Sequence, residues 1–152
     1  MDRRHDEVPD RVAVGVNRLR HAIGYVIALP VSAAAASAAG LLLLTGSRAR
    51  FERGVLEVYG GGLGPLLARA VPRFPISAIT LGHVVLAADA ARLAETRAHE
   101  RVHVAQYERW GVLFPILYVL ASAGALLAGR HVYLDNAFER EAEARSRGTD
   151  AS

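Results

Sequence analysis

An α+β fold is predicted by three features of the 152-residue sequence. Residues 48–59 and 76–87 carry the short alternating patterns of two hairpins. Charged segments with helical spacing run from about Asp89 to Trp110 and from Ala137 to Arg147. Two uncharged apolar runs, 23–44 and 112–128, complete the pattern. The expected architecture is a small antiparallel sheet, two polar helices, and one or two hydrophobic helices associated with a membrane.

Residues 1–22 form a polar arm in which Arg3, Arg4, Arg11, Arg18 and Arg20 alternate with acids, and its start is expected to be disordered. From Ile23 to Leu44 there are 22 residues without a charge. A helix of that length reaches about 33 Å, enough to cross a hydrocarbon core of about 30 Å. The segment 23–46 therefore reads as a membrane anchor. A signal peptide and a buried core helix compete with that reading, although Leu41 to Leu44 extend the apolar run past a cleavage site near Ala33–Ala39. Residues 47–148 form the remaining domain. Its first hairpin turns at Arg53-Gly54, and G60-G-G-L-G64 ends it. After a short apolar stretch with Pro72 and Pro75, a second hairpin turns at Gly82-His83. Asp89 is placed to cap the helix that follows.

Composition narrows the partners. Every basic residue is arginine, the net charge is +3, and no basic stripe interleaved with aromatics appears, so no nucleic-acid partner is expected. Cysteine is absent, so any metal must be held by His, Asp or Glu.

Those residue types meet in H99-E-R-V-H103. Residues four apart on a helix differ by about 40° around the axis, so His99 and His103 project from one face and can present two imidazole nitrogens to one cation. Gln106 and Trp110 continue that face. Glu100 reaches the side of the same site, where a carboxylate can take a proton from water activated by the cation. Paired histidines on an ordinary amphipathic helix are the alternative.

A catalytic zinc takes a third protein ligand. Downstream candidates are His131, Asp135, Glu139, Glu141 and Glu143. Glu139 and Glu143 are four apart and share a face with Ala142, whose small side chain permits close approach of another helix. Glu141 points elsewhere and can pair with Arg145. Glu139 also has a second explanation, because Asn136 three positions earlier makes a capping box. If Glu139 is a ligand, Glu143 can accept the other ring proton of a histidine and fix its tautomer.

H99-E-R-V-H103 followed by E139-R-E-A142-E143 resembles the gluzincin zinc metallopeptidases, whose pattern is HExxH and a downstream helix carrying E-x-x-A-D. The resemblance implies zinc held by His99, His103 and Glu139, with Glu100 as general base and Glu143 in place of the aspartate. The longer string around I-T-L-G-H-V-V-L, H-E-R-V-H-V-A-Q and D-N-A-F-E-R-E-A, covering about residues 48–145, is similar to a group of small bacterial proteins with an H-E-x-x-H-V-x-Q core. Those read D-N-P-F-E where this chain has Ala137. The family implies a peptide or protein substrate added as a strand along a sheet edge, for which residues 76–87 are the counterpart. His83 then either supplies a supplementary donor or simply occupies the turn.

Topology constrains the second apolar run. Glu139 follows His103 by 36 residues, most of them in that run. A single full crossing of a bilayer would deliver Glu139 to the side opposite the histidines. Residues 112–128, about 26 Å as a helix, must therefore fold back onto the histidine helix or dip into the membrane, with Pro115 and Gly124 expected to permit the bend. The resulting expectation is a small zinc peptidase associated with lipid at a bacterial inner membrane. A non-catalytic zinc-binding scaffold is the alternative.

Overall fold

The structure, a computed structural model, describes residues 8–70 and 76–149. The start of the polar arm and the Pro72–Pro75 stretch lie outside the described residues. The chain forms helix α1 (Val8–Leu43), strands β1 (Arg48–Glu52) and β2 (Val55–Tyr59), helix α2 (Leu63–Ala70), strands β3 (Ala78–Leu81) and β4 (Val84–Ala87), and helices α3 (Ala90–Trp110), α4 (Phe114–Leu127) and α5 (Ala137–Thr149). A single 3₁₀ turn, Gly111–Leu113, joins α3 to α4. Two helical stretches, Arg18–Leu43 and Ala90–Leu127, are long and apolar enough to cross a membrane by length and composition.

Helix α1 begins at Val8, well before Ile23, so the later part of the polar arm is the first part of this helix. Pro9 lies in its first turn, where a missing N–H costs nothing. Arg53 and Gly54 both take positive φ, 46° and 81°, which is the two-residue turn that matches the twist of a hairpin. Helix α2 occupies the short apolar stretch for which the sequence predicts no element.

The sheet is mixed, not antiparallel as expected. Its order is β1-β2-β4-β3, and β2 pairs with β4 in parallel, Leu56 opposite Val84 and Tyr59 opposite Ala87. The reason lies in burial. All four β4 residues are buried, whereas β3 is half-buried, so the more apolar strand of the second hairpin takes the inner place and leaves β3 at the edge. That places β4 beside β2 through a crossover containing α2.

The two sheet faces bury different helices. Val58, Val84 and Leu86 pack on Ala35 and Ala39 of α1 and Leu63 of α2. Val55, Val85 and Ala87 pack on Leu93 and Val104 of α3. Alternate residues of each strand thus serve opposite layers. A third cluster joins Ala28 of α1, Tyr107 of α3 and Phe114 of α4, with Tyr118 and Phe138 against it.

Small residues let α1 approach closely. Gly24, Ala28, Ser32, Ala35 and Ala39 form its buried seam. A Cβ on Gly24 would stand 2.8 Å from Glu108 Cβ, and one on Gly82 would stand 2.8 Å from the Ser32 nitrogen. His83 is buried at this seam. Its backbone N–H donates to Ser32 Oγ at 2.9 Å, its Nδ1 lies 3.2 Å from the same oxygen, and its Nε2 lies 3.1 Å from Glu108 Oε1. Tyr25 stacks on the ring. The side chain ties α1 to α3, with both ring nitrogens engaged there.

The bend after α3 falls at Gly111 (φ 54°, ψ −132°), not at Pro115 or Gly124. That backbone region is open essentially to glycine alone. Pro115 sits in the first turn of α4, where proline is tolerated, and Gly124 stays helical.

Candidate metal centre

Helix α3 starts where the Asp89 side chain accepts the Arg92 N–H at 2.8 Å. Its inner face carries His99 and His103, whose Nε2 atoms lie 3.1 Å apart. Helix α5 brings Glu139 to the same point. Glu139 Oε2 is 3.2 Å from His99 Nε2, and Oε1 is 3.4 Å from His103 Nε2. One ligand atom from each of the three residues falls within 4.8 Å of the others, so the group can hold a metal ion. A tetrahedral ion with bonds near 2.0–2.1 Å sets its ligand atoms about 3.3 Å apart. The two imidazole nitrogens stand near that spacing, and each faces a different oxygen of the Glu139 carboxylate.

What delivers Glu139 is Asn136, which is fully buried. Its Oδ1 accepts the Phe138 N–H at 2.9 Å and so caps α5. Its Nδ2 donates to Tyr118 O at 3.0 Å and to Ser122 Oγ at 2.7 Å, clipping the start of α5 to the middle of α4. The Asn136 N–H is satisfied by Tyr133 O at 3.0 Å. Glu139 therefore does not complete a capping box, because the N–H it would accept is already bonded, and its carboxylate turns to the histidines instead. The chain has folded back as the shared site requires.

Neighbours fix each group. His103 Nδ1 lies 2.8 Å from Gln106 Oε1, and Gln106 Nε2 donates to Phe138 O at 3.1 Å and to Glu141 Oε2 at 3.0 Å. Those two donations assign the amide orientation, so His103 donates from Nδ1 and its Nε2 is left as a lone pair facing the centre. The Tyr118 hydroxyl donates to Glu139 Oε1 at 2.7 Å. Glu139 Oε2, by contrast, is buried and accepts no well-formed hydrogen bond, with His99 Nε2 beside it at 3.2 Å. A buried carboxylate oxygen without a donor is costly. A cation removes that cost.

Electrostatics follow the same geometry. Burial pushes the Glu139 carboxyl up, yet the adjoining His103 and His99 rings, which favour the carboxylate when they are protonated, overcome it and hold the group well below the ordinary carboxylate range. Burial lowers His103, but the neighbouring Glu139 carboxylate holds it above the usual imidazole value. Glu100 is also buried, and loss of solvent raises its carboxyl above the ordinary value while the Thr80 hydroxyl, donating at 2.6 Å to Oε2, opposes the shift.

Other expected residues take other places. Glu143 Oε2 stands 3.8 Å from His99 Nδ1, beyond hydrogen-bond length, and its Oε1 is held by Arg147. His131 Nδ1 accepts the N–H groups of Tyr133 and Leu134, and Asp135 accepts the His131 N–H, so both build the turn between α4 and α5. Glu141 is shared by Gln106 and Arg145. An open cleft runs from His99 and Glu139 along Tyr133, Leu134, Ala137 and Arg140. Sequence reasoning placed Gln106 on the histidine face without a role, and it missed Tyr118, Thr80 and the α4 contacts of Asn136. The spacing of Gln106, three residues after His103, carried the only available signal.

No family model, curated protein or solved structure matches the chain.

Proposed function

We propose that the chain is a small membrane-associated zinc peptidase of the gluzincin type. His99, His103 and Glu139 hold the ion, Glu100 is the general base, and the proposed location is a bacterial inner membrane. One observation carries the reading: three ligand atoms from two segments 36 residues apart converge within 4.8 Å of one another, and one of the carboxylate oxygens there is buried with no hydrogen bond of its own. Two imidazoles and a carboxylate, with no thiolate in the chain, suit zinc.

When bound, zinc lowers the pKa of water toward about 7 and polarises a carbonyl. The protein's own groups supply the rest. Glu100, with its raised pKa, is suited to take a proton and return it. Gln106 and Tyr118 keep His103 and Glu139 oriented. Strand β3 supports a peptide substrate. Its two-residue turn and the Ala88 N–H bond to Ser77 O set Ser77, Ile79 and Leu81 toward β4. Ala78 and Thr80 then direct their backbone groups to the edge of the sheet, which no strand among the described residues pairs. A peptide strand added there passes beside Thr80, the residue bonded to Glu100.

A zinc-binding scaffold without hydrolysis is the second reading, favoured by the hydrogen bond that ties Glu100 to Thr80. Glu100→Gln separates them. The variant is expected to keep its zinc and lose about 10²- to 10⁴-fold in peptide hydrolysis. Undiminished hydrolysis would remove Glu100 from the chemistry, and a zinc-loaded wild type inert toward an unstructured protein substrate would favour the scaffold.

A further inference from the structure

We infer that α1 and α4 attach this protein to one face of a lipid bilayer without crossing it, although both are apolar enough to invite a transmembrane reading. The inference is independent of whether the metal centre hydrolyses peptides.

Helix α1 does not lead away from the domain; the domain lies along it. At one end Gly24 packs on Glu108 and the Tyr25 hydroxyl donates to Gly54 O in the first hairpin turn. Midway, Ser32 meets Gly82 and His83. Just past the helix, Thr45 Oγ1 accepts the Gly62 N–H and Ser47 Oγ donates to Gly60 O, at the base of the same hairpin. The β1–β2 hairpin therefore runs back alongside nearly the whole apolar segment, from its end near residue 45 to Tyr25. It carries Arg48, Arg50, Glu52 and Arg53, and Arg53 is 89% exposed. Were α1 to stand across a bilayer in this arrangement, those strongly hydrated charges would lie at hydrocarbon depth. Intramembrane charges are tolerated where they face a protein interior or a water-filled cavity, and the outer edge of β1 is neither.

Yet outside its buried seam the apolar stretch of α1 from Ile23 onward is largely uncovered among the described residues. Only the narrow small-residue seam is buried, while Val26 and Leu41 are each 69% exposed and Leu44 85%. Helix α4 repeats the pattern. Phe114, Tyr118, Ser122 and Ala125 turn inward, whereas Ile116, Val119, Leu120 and Leu127 are exposed, the last at 89%. The two helices meet at the joint before α4, where Gly111 packs on Ile27 and Ala28 clusters with Phe114, and Val112 and Leu113 are exposed there.

Helix α4 has 14 residues, about 21 Å, too short to cross. The chain beyond it carries Arg130 and His131 and then returns Asn136 to Tyr118. A hairpin whose tip bears an arginine belongs at the headgroup level, where a guanidinium can meet phosphate while its neighbours enter the acyl boundary. Exposed Arg18 and Arg20 sit at the other end of the apolar surface, at the start of the α1 stretch. An apolar face rimmed by arginines matches an anionic lipid surface better than a second copy of a chain with like charges at the same rim.

The native chain has no cysteine and one tryptophan, Trp110, beside this surface. Two single-cysteine variants, Arg18→Cys and Arg48→Cys, bracket the α1 apolar run. In sealed vesicles of a phosphatidylethanolamine and phosphatidylglycerol mixture loaded with the full chain, a membrane-impermeant maleimide is expected to label both variants to the same fraction from outside. Arg18 and Arg48 reacting from opposite sides would overturn the inference. Trp110 fluorescence in the unmodified protein gives the second arm: lipids brominated near the headgroup are expected to quench it at least twofold more than lipids brominated at the chain ends. Deeper quenching, or a protein that stays unbound as a soluble dimer, would equally overturn it.

Discussion

Gln106 joins the two helices that build the candidate metal centre, accepting from His103 and donating to Phe138 O and Glu141. Replacing it with alanine frees the His103 ring to take the other tautomer, which points an N–H at the cation. Loss of such a partner costs about 10–100-fold in metal affinity. The expected result for Gln106→Ala is a weakening of that size in competition with a chelator, with unchanged far-UV circular dichroism. Full affinity would mean that another group orients His103. The metal-free centre also has a pH signature. Because Glu139 holds His103 above the usual imidazole value, more of it is protonated at a given pH, and zinc must displace that proton. Affinity is therefore expected to fall as pH drops, by about tenfold per unit for each imidazole proton displaced. Calorimetry in buffers of different ionisation enthalpy counts the proton released; no release at pH 6 would contradict the assignment. His99, Glu100 and His103 were legible because helical spacing alone puts them together. Glu139 was legible only as a ligand or a cap. Its place beside the histidines depends on Asn136, whose cap and clip to α4 need the chain to have folded back. Tyr118 gave no signal, since inside an apolar run a tyrosine reads as core.

Elements were read from local chemistry, and they succeeded or failed on that basis. The Arg53-Gly54 turn and the Asp89 cap are each decided within a few residues, and both occur where expected. Strand order is decided by which strand the rest of the protein buries most completely, so the parallel β2–β4 pairing was invisible. Helix α2 escaped because eight residues between glycines and prolines carry little periodicity. Pro115 and Gly124 suggest a bend in α4 on general grounds, yet proline in a first turn does not bend a helix. Gly111 does, and it is also pressed on α1, where an added Cβ would stand 2.6 Å from Ile27 Cγ2. Gly111→Ala should cost about 1–3 kcal/mol from backbone strain alone. Its melting temperature should fall by roughly 2–12 °C. A midpoint equal to wild type would show that the joint between α3 and α4 does not need this glycine.

The fold is layered so that one helix serves two purposes. Helix α3 covers one sheet face with Leu93 and Val104, and an adjoining flank, about 100° round its axis, meets α5 at the histidines. Helix α1 covers the other sheet face and reaches past the sheet to the end of α3. The candidate metal centre therefore stands on a helix held by the sheet, by α1 and by the α4–α5 return, and the apolar runs that suggest membrane spans in the sequence form the outer surface of that support. Their composition was legible. Their path was not, because a buried seam of glycine, alanine and serine looks in sequence like any other part of an apolar helix. The most direct test of the whole arrangement is zinc K-edge X-ray absorption on the purified full chain, loaded with one equivalent of zinc. The account expects two imidazole nitrogens and carboxylate or water oxygen at about 2.0–2.1 Å, with the imidazole scattering halved when His103 is changed to alanine. Failure of the protein to retain zinc, or a first shell of oxygen with no imidazole scattering, would contradict it.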